Sequence, residues 1–209
     1  ALDISLRISY YIPYIPLTKR DNSMQLTSTE IYNIANTSEI QDFIKQNLYD
    51  PWTGTPFEGY RYMDSKQKGA LGEMYVSLLF NACGYDVKFA ETSTAGHDRV
   101  IDNIRTEIKF SLAHTNIKKK TLKEDCFTMN HVAVGKDWER LIFLAINDDP
   151  NKVRVMYMTK EDFKLALNTG EYFNHQQGGK KSDNDDYMIA STKIIKLMKS
   201  GFMKELREW

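Results

Sequence analysis

Two carboxylates and one ammonium stand out in the stretch GHDRVIDNIRTEIKFS, residues 96–111: Asp98, Glu107 and Lys109 fall among Val, Ile and Thr residues. Asp102-Asn103 suits the positive φ angles of a two-residue hairpin turn. That turn pairs Ile101 with Ile104, Val100 with Arg105, Arg99 with Thr106 and Asp98 with Glu107. Directly opposed residues share a face with Cβ atoms about 4.5–5.5 Å apart, and Lys109, two residues past Glu107, shares it too. Ile101, Ile104, Ile108 and Phe110 fall on the reverse face and read as core, leaving the charged face open. Opposed carboxylates repel, a cost that a purely structural hairpin has little reason to bear. A divalent cation between them reverses the sign. Carboxylate oxygens are what Mg²⁺ requires, and its remaining positions stay open for water and phosphate. Lys109 would then reach an attacking water or a phosphate. The alternative is a surface hairpin carrying a Glu107–Lys109 pair or an Asp98–Lys109 salt bridge.

The elements that must hold this hairpin are readable around it. A helix is predicted over about 64–83, with Leu71, Met74, Tyr75, Leu78, Leu79 and Ala82 on one stripe and Gly69, Gly72, Glu73, Val76 and Phe80 on the other. Apolar on two sides, it should be sandwiched, its glycines allowing close approach to a sheet. YDVKFAE (85–91), RLIFLAIN (140–147) and KVRVMYMT (152–159) read as strands, the last two joined by DDPN. Thr159 caps a helix through about Leu167, and DYMIAS (186–191) reads as a last strand before a C-terminal helix. Upstream, the alternation of Ile4, Leu6, Ile8 and Tyr10 suggests a strand or extended arm, broken by Pro13 and Pro16. Capping patterns at Thr27 and Thr37 predict a small helical region over about 27–48, and residues 50–60 read as a loop.

The totals narrow the class. A chain of 209 residues supports one well-buried core, here expected as a single domain: an arm and helical segment (1–60), a core (64–170), and a C-terminal loop, strand and helix (171–209). Cys83 and Cys126 have no CxxC or Cys/His spacing, which speaks against a disulfide framework or zinc site and fits a cytoplasmic setting. No stretch approaches the ~20 apolar residues of a membrane span, and no signal peptide is evident. With 28 Lys+Arg against 28 Asp+Glu, an indiscriminate polyanion binder is disfavoured, while local basic patches are allowed.

The arrangement of Asp98 followed by Glu107-Ile108-Lys109 resembles the PD-(D/E)XK nuclease motif of type II restriction endonucleases and their relatives. The resemblance spans about residues 64–170, and His97 stands where the motif has its proline. It implies an α/β, restriction-endonuclease-like fold: a mixed central sheet flanked by helices, here with an N-terminal helical addition. It implies Mg²⁺ held by Asp98, Glu107 and the Ile108 carbonyl, with Lys109 orienting or activating water. Glu73, in KGALGE, matches the further acid that such enzymes often place on the preceding helix; it would otherwise serve its helix N-terminus electrostatically. The implied activity is cleavage of double-stranded DNA at a short specific sequence by a homodimer, giving 5′-phosphate and 3′-hydroxyl ends. A structure-specific or repair nuclease, or a non-catalytic DNA-binding protein on the same fold, are the alternatives.

Two polar clusters are candidate DNA contacts. Lys118, Lys119 and Lys120 follow the hairpin strand and suit phosphates, or form a solvated loop. In NHQQGGKKSDND (174–185), Gln176 and Gln177 suit adenine edges, and Lys180 and Lys181 suit guanines or phosphates, unless this is a plain surface loop. The cluster departs from a P-loop at Asn174 and Lys181, so no nucleotide cofactor is expected. The four histidines show no metal-ligand spacing.

Overall fold

The structure, a computed structural model, describes residues 27–92, 94–116, 119–176 and 185–206. The chain divides into two units, Ala1–Tyr49 and Asp50–Trp209. In the first, helix α1 (Ser28–Asn33), a 3₁₀ turn (Ile34–Asn36) and helix α2 (Ser38–Asn47) occupy the region predicted to be helical. The expected arm, with Ile4 to Pro16, lies outside the described residues.

The second unit opens with an ordered loop. The Asp50 carboxylate accepts the Trp52 and Gly59 N–H groups at 2.9 and 2.7 Å, and Trp52 is buried. Helix α3 (Ser65–Ala82) begins with a reciprocal cap: Asp64 accepts the Gln67 N–H at 2.7 Å while the Gln67 side chain accepts the Asp64 N–H at 2.9 Å. Its buried stripe is Gly72, Val76 and Phe80. A Cβ on Gly72 would collide with Phe110 Cβ, so the close approach expected of the glycine is real. The helix is not sandwiched, however. Met74 and Leu78 are exposed, because only the Gly72 side meets a sheet.

That sheet has six strands in the order β1 (Val87–Phe89), β2 (Arg99–Ile101), β3 (Ile104–Leu112), β7 (Arg140–Ile146), β8 (Arg154–Thr159) and β11 (Lys204–Glu205). The β3–β7 pair is parallel and the others are antiparallel. β7 is buried along its whole length, as its continuous apolar run requires. The β3-to-β7 connection carries the small hairpin β4 (Thr115–Asn116) and β5 (Thr121–Leu122), then β6 (Phe127–Val132), which sequence reading did not anticipate. β6 pairs with β10 (Tyr187–Ser191), and β10 with β9 (Asn174–His175), as a second sheet. Phe127 of β6 meets Phe143 of β7 edge-on, so β6 lies against one face of β3 and β7, while α3 packs on the other face of β3. Helix α4 (Lys160–Asn168), capped by the Thr159 hydroxyl, buries Phe163 against Trp138, Phe173 and Tyr187. Helix α5 (Lys193–Lys199) packs on β10. The architecture is thus mixed α/β, a central mixed sheet flanked by helices. Among the described residues no helix is long and apolar enough to cross a membrane.

Candidate active site

The hairpin forms as its parity dictates. Asp102 and Asn103 take φ angles of 49° and 65°, and the register pairs Ile101 with Ile104, Val100 with Arg105 and Arg99 with Thr106. The ladder then stops one rung before the predicted pair. Asp98 donates its N–H to the Thr106 carbonyl at 3.0 Å, and its carboxylate Oδ2 accepts the Ile108 N–H at 2.7 Å. A side chain thus takes the bond that the next rung would have given to the backbone of His97. Among the described residues the edge of β3 at Glu107–Lys109 has no strand partner on that side, and the Ile108 carbonyl projects to the same edge as its N–H.

Glu107 departs from expectation. Its side chain is 1% exposed, because the charged face of β3 turns toward β6 and the 133–138 segment rather than toward solvent. Oε1 accepts from Lys109 Nζ at 2.6 Å and lies 3.6 Å from Lys136 Nζ; Oε2 is buried with no hydrogen-bond partner among the described residues. Lys109 is 18% exposed, so its ammonium bridges the buried carboxylate and the surface. On the reverse face Ile101 and Ile108 are buried, Phe110 is half-buried, and Ile104, beside the turn, is exposed.

Glu73 comes from the middle of α3, which removes the helix-terminus explanation for its charge. Its Oε2 accepts from Arg99 Nη1 at 2.9 Å, while Arg99 Nε donates to Ser77 Oγ at 3.0 Å and Nη1 to the Asp98 carbonyl at 2.7 Å. Arg99 therefore staples helix to hairpin beside Asp98. Burial raises the Glu73 pKa, and the Asp98 charge raises it further; Arg99 and Lys109 pull the other way. Glu73, Asp98 and Lys109 thus share one electrostatic neighbourhood. Among the described residues no group of three or more His, Cys, Asp or Glu converges on a metal position. The donor set available to a cation is two carboxylates and a backbone carbonyl, with Glu73 engaged by Arg99. Asp102, a competing acid, is committed elsewhere: it exchanges bonds of 2.8 and 2.9 Å with the Asp86 backbone.

The candidate DNA contacts are scattered. Lys119 and Lys120 are exposed at the tip of the β4–β5 hairpin, the Lys119 N–H bonded to Asn116 Oδ1 at 3.2 Å. Gln176 is half-buried beside β9, its Oε1 buried without a partner among the described residues, so that oxygen is not offered to a base edge. Lys118, Gln177, Lys180 and Lys181 lie outside the described residues. Sequence reading missed Lys136, whose only signal is its place in a polar turn between two apolar runs.

No family model and no curated protein sequence matches the chain. Among solved structures, a bacterial homing endonuclease, I-Ssp6803I, matches over 48% of this chain and 72% of its own, at 10% identity and a TM-score of 0.36.

Proposed function

We propose that this chain is a Mg²⁺-dependent endonuclease that cuts double-stranded DNA at a short specific sequence, in the manner of a type II restriction enzyme. The observation that supports it most is Glu107: a buried carboxylate with one oxygen unpartnered and the other on an ammonium, at a strand edge where Asp98 replaces backbone pairing. A structural hairpin has no use for that combination, whereas a hard cation takes oxygen donors of this kind. Asp98, Glu107 and the Ile108 carbonyl are the residues that would hold Mg²⁺. Bound there, it would supply a more acidic water and charge neutralisation at phosphorus.

The chain's own groups account for the rest. Lys109, 2.6 Å from Glu107 and reaching the surface, orients the attacking water and stabilises the negative charge that develops on it. The water oxygen bonds to phosphorus as the P–O3′ bond breaks. O3′ leaves with the electron pair and takes a proton from solvent, and the attacking water loses its proton to solvent. The ends are a 5′-phosphate and a 3′-hydroxyl. A homodimer would match the two-fold symmetry of a palindromic site.

Incubation with phage DNA and Mg²⁺, followed by sequencing of fragment ends, tests this reading. Discrete fragments sharing one end sequence are expected. Cutting confined to branched substrates would replace site-specific cleavage with structure-specific cleavage. Equal duplex binding in Mg²⁺ and EDTA with no cutting would refute the enzyme altogether.

A further inference from the structure

We propose that Lys136 is a second lysine of this site: it balances the Glu107 charge before a cation binds, and it meets the phosphodiester afterwards. This rests on the nuclease reading. The Lys136 ammonium lies 3.6 Å from the same Glu107 oxygen that Lys109 holds, and with 47% of its side chain exposed it arrives from the solvent side.

The turn that carries it is fixed from several directions. Asp185 accepts the N–H groups of Val134 and Gly135 at 2.9 and 2.5 Å, one on each carboxylate oxygen. His97 Nδ1–H donates to the Asp137 carbonyl at 3.0 Å, beside Asp98 in the chain. A Cβ on Gly96 would collide with the Asp137 backbone nitrogen, so that strand of chain packs directly on the turn. Arg105 binds Asp137 at 2.9 Å and Glu139 at 3.1 Å, and Lys160 donates to the Lys136 carbonyl at 2.6 Å. A solvated lysine needs no such frame. These contacts tie the segment before Asp98 and the segment bearing Lys136 into one body, so the backbone that carries the ammonium is held within reach of Glu107.

Charge counting gives it a purpose. Asp98 and Glu107 contribute two negative charges, Lys109 and Lys136 two positive ones, and Glu73 and Arg99 cancel. The empty site is neutral, which makes a buried carboxylate tolerable. A divalent cation leaves it at +2. A phosphodiester carries −1, and the hydroxide attacking it adds another −1, so the site is balanced in the transition state and not in the ground state. Without Lys136 the balance falls on the ground state. Its loss should therefore depress turnover more than substrate binding.

The test is Lys136→Met, with Lys136→Arg as the charge-preserving control, since none of the contacts named above that hold the turn uses the Lys136 side chain. Mn²⁺ affinity is read by calorimetry on the metal-free protein, and KM and kcat on a duplex that wild-type protein cuts. Lys136→Met should bind Mn²⁺ up to about fivefold more tightly, the scale of a partly exposed ion pair. At saturating cation its kcat should fall by about 10–100-fold, less than for a buried electrostatic donor, with KM little altered and Arg restoring most of the rate. Unchanged Mn²⁺ affinity, unchanged kcat, or a loss confined to KM would each overturn the proposal while leaving the nuclease reading standing. A wild-type protein that neither binds Mn²⁺ nor cuts overturns both.

Discussion

Asp98 does two things at once, and a pair of substitutions separates them. Its Oδ2 takes the Ile108 N–H at 2.7 Å, in a part of the hairpin where no backbone carbonyl is available. Asp98→Ala leaves that donor unmet at a partly buried position, at a cost of about 1–3 kcal/mol. Asp98→Asn keeps an acceptor oxygen of the same reach and loses only the charge assistance, so under about 1 kcal/mol is expected. Both remove the proposed anionic ligand, so both should slow cleavage at least ~100-fold, the scale of one lost electrostatic stabiliser. Urea unfolding measures the first effect, through a midpoint that falls for Ala and holds for Asn at unchanged slope. Cleavage of linear duplex at saturating Mg²⁺ measures the second. Equal destabilisation by Ala and Asn would refute the hydrogen-bond role. An Asn variant that cuts at the wild-type rate would remove Asp98 from the metal set. An intact fold cannot be assumed for the Ala variant alone, because the charged face is not the open one that the hairpin pattern suggested.

Three further outcomes can be checked. Lys109→Ala at saturating Mg²⁺ should still shift a duplex in a gel but cut it at least ~100-fold more slowly; normal cutting would make Lys109 a mere partner of Glu107. Gly72→Ala should lower stability by about 1–3 kcal/mol, because the new Cβ has no room beside Phe110, and an unchanged urea midpoint would contradict the packing. His114 is held below its ordinary pKa by burial and by Lys123, so the unfolded chain takes up its proton first as pH falls. Its stabilisation is therefore complete above about 6.5 and lost as pH falls through that value toward the folded-state pKa. His114→Gln should flatten that loss in denaturation curves, and an identical pH dependence would rule the effect out.

Where local chemistry decides structure, the chain could be read directly. The Asp102-Asn103 turn and the alternation around it fix the β2–β3 register, because a one-residue slip would move Ile101 and Ile108 off the apolar face they share with Phe110. Asp64 and Gln67 mark the start of α3, and Thr159 the start of α4. Where tertiary contacts decide, it could not. The glycines of α3 point one stripe at the sheet, yet nothing in the helix says that Met74 and Leu78 on the other stripe stay exposed. β6 offers only Phe127 and Met129 in alternation before His131 takes φ 56° and ends the pattern. Burial of Glu107 depends on that unseen strand and on the turn after it. Lys136 reaches the site through bonds from Asp185, His97 and Arg105, residues 31 to 49 positions away in the chain, so no local spacing could announce it.

The burial of Glu107 is itself the strongest physical argument for a functional site. Its neighbours across β7 are apolar and fully buried, Leu141 directly opposite and Phe143 opposite Lys109. An apolar residue at position 107 would pack there at no electrostatic cost, and replacing buried ion pairs by hydrophobic groups is often neutral or stabilising. Instead the chain keeps a carboxylate whose second oxygen has no partner, a defect of about 1–3 kcal/mol. It sets two lysines beside the first oxygen, and the β2 ladder stops where the Asp98 carboxylate takes the Ile108 N–H. The unpartnered oxygen runs against stability, the interrupted ladder forgoes backbone pairing, and both lie at one strand edge. Departures that converge in this way belong to sites where strain and unmet polar groups serve chemistry. Here the unmet group is a carboxylate oxygen, and the proposed Mg²⁺ would be its partner.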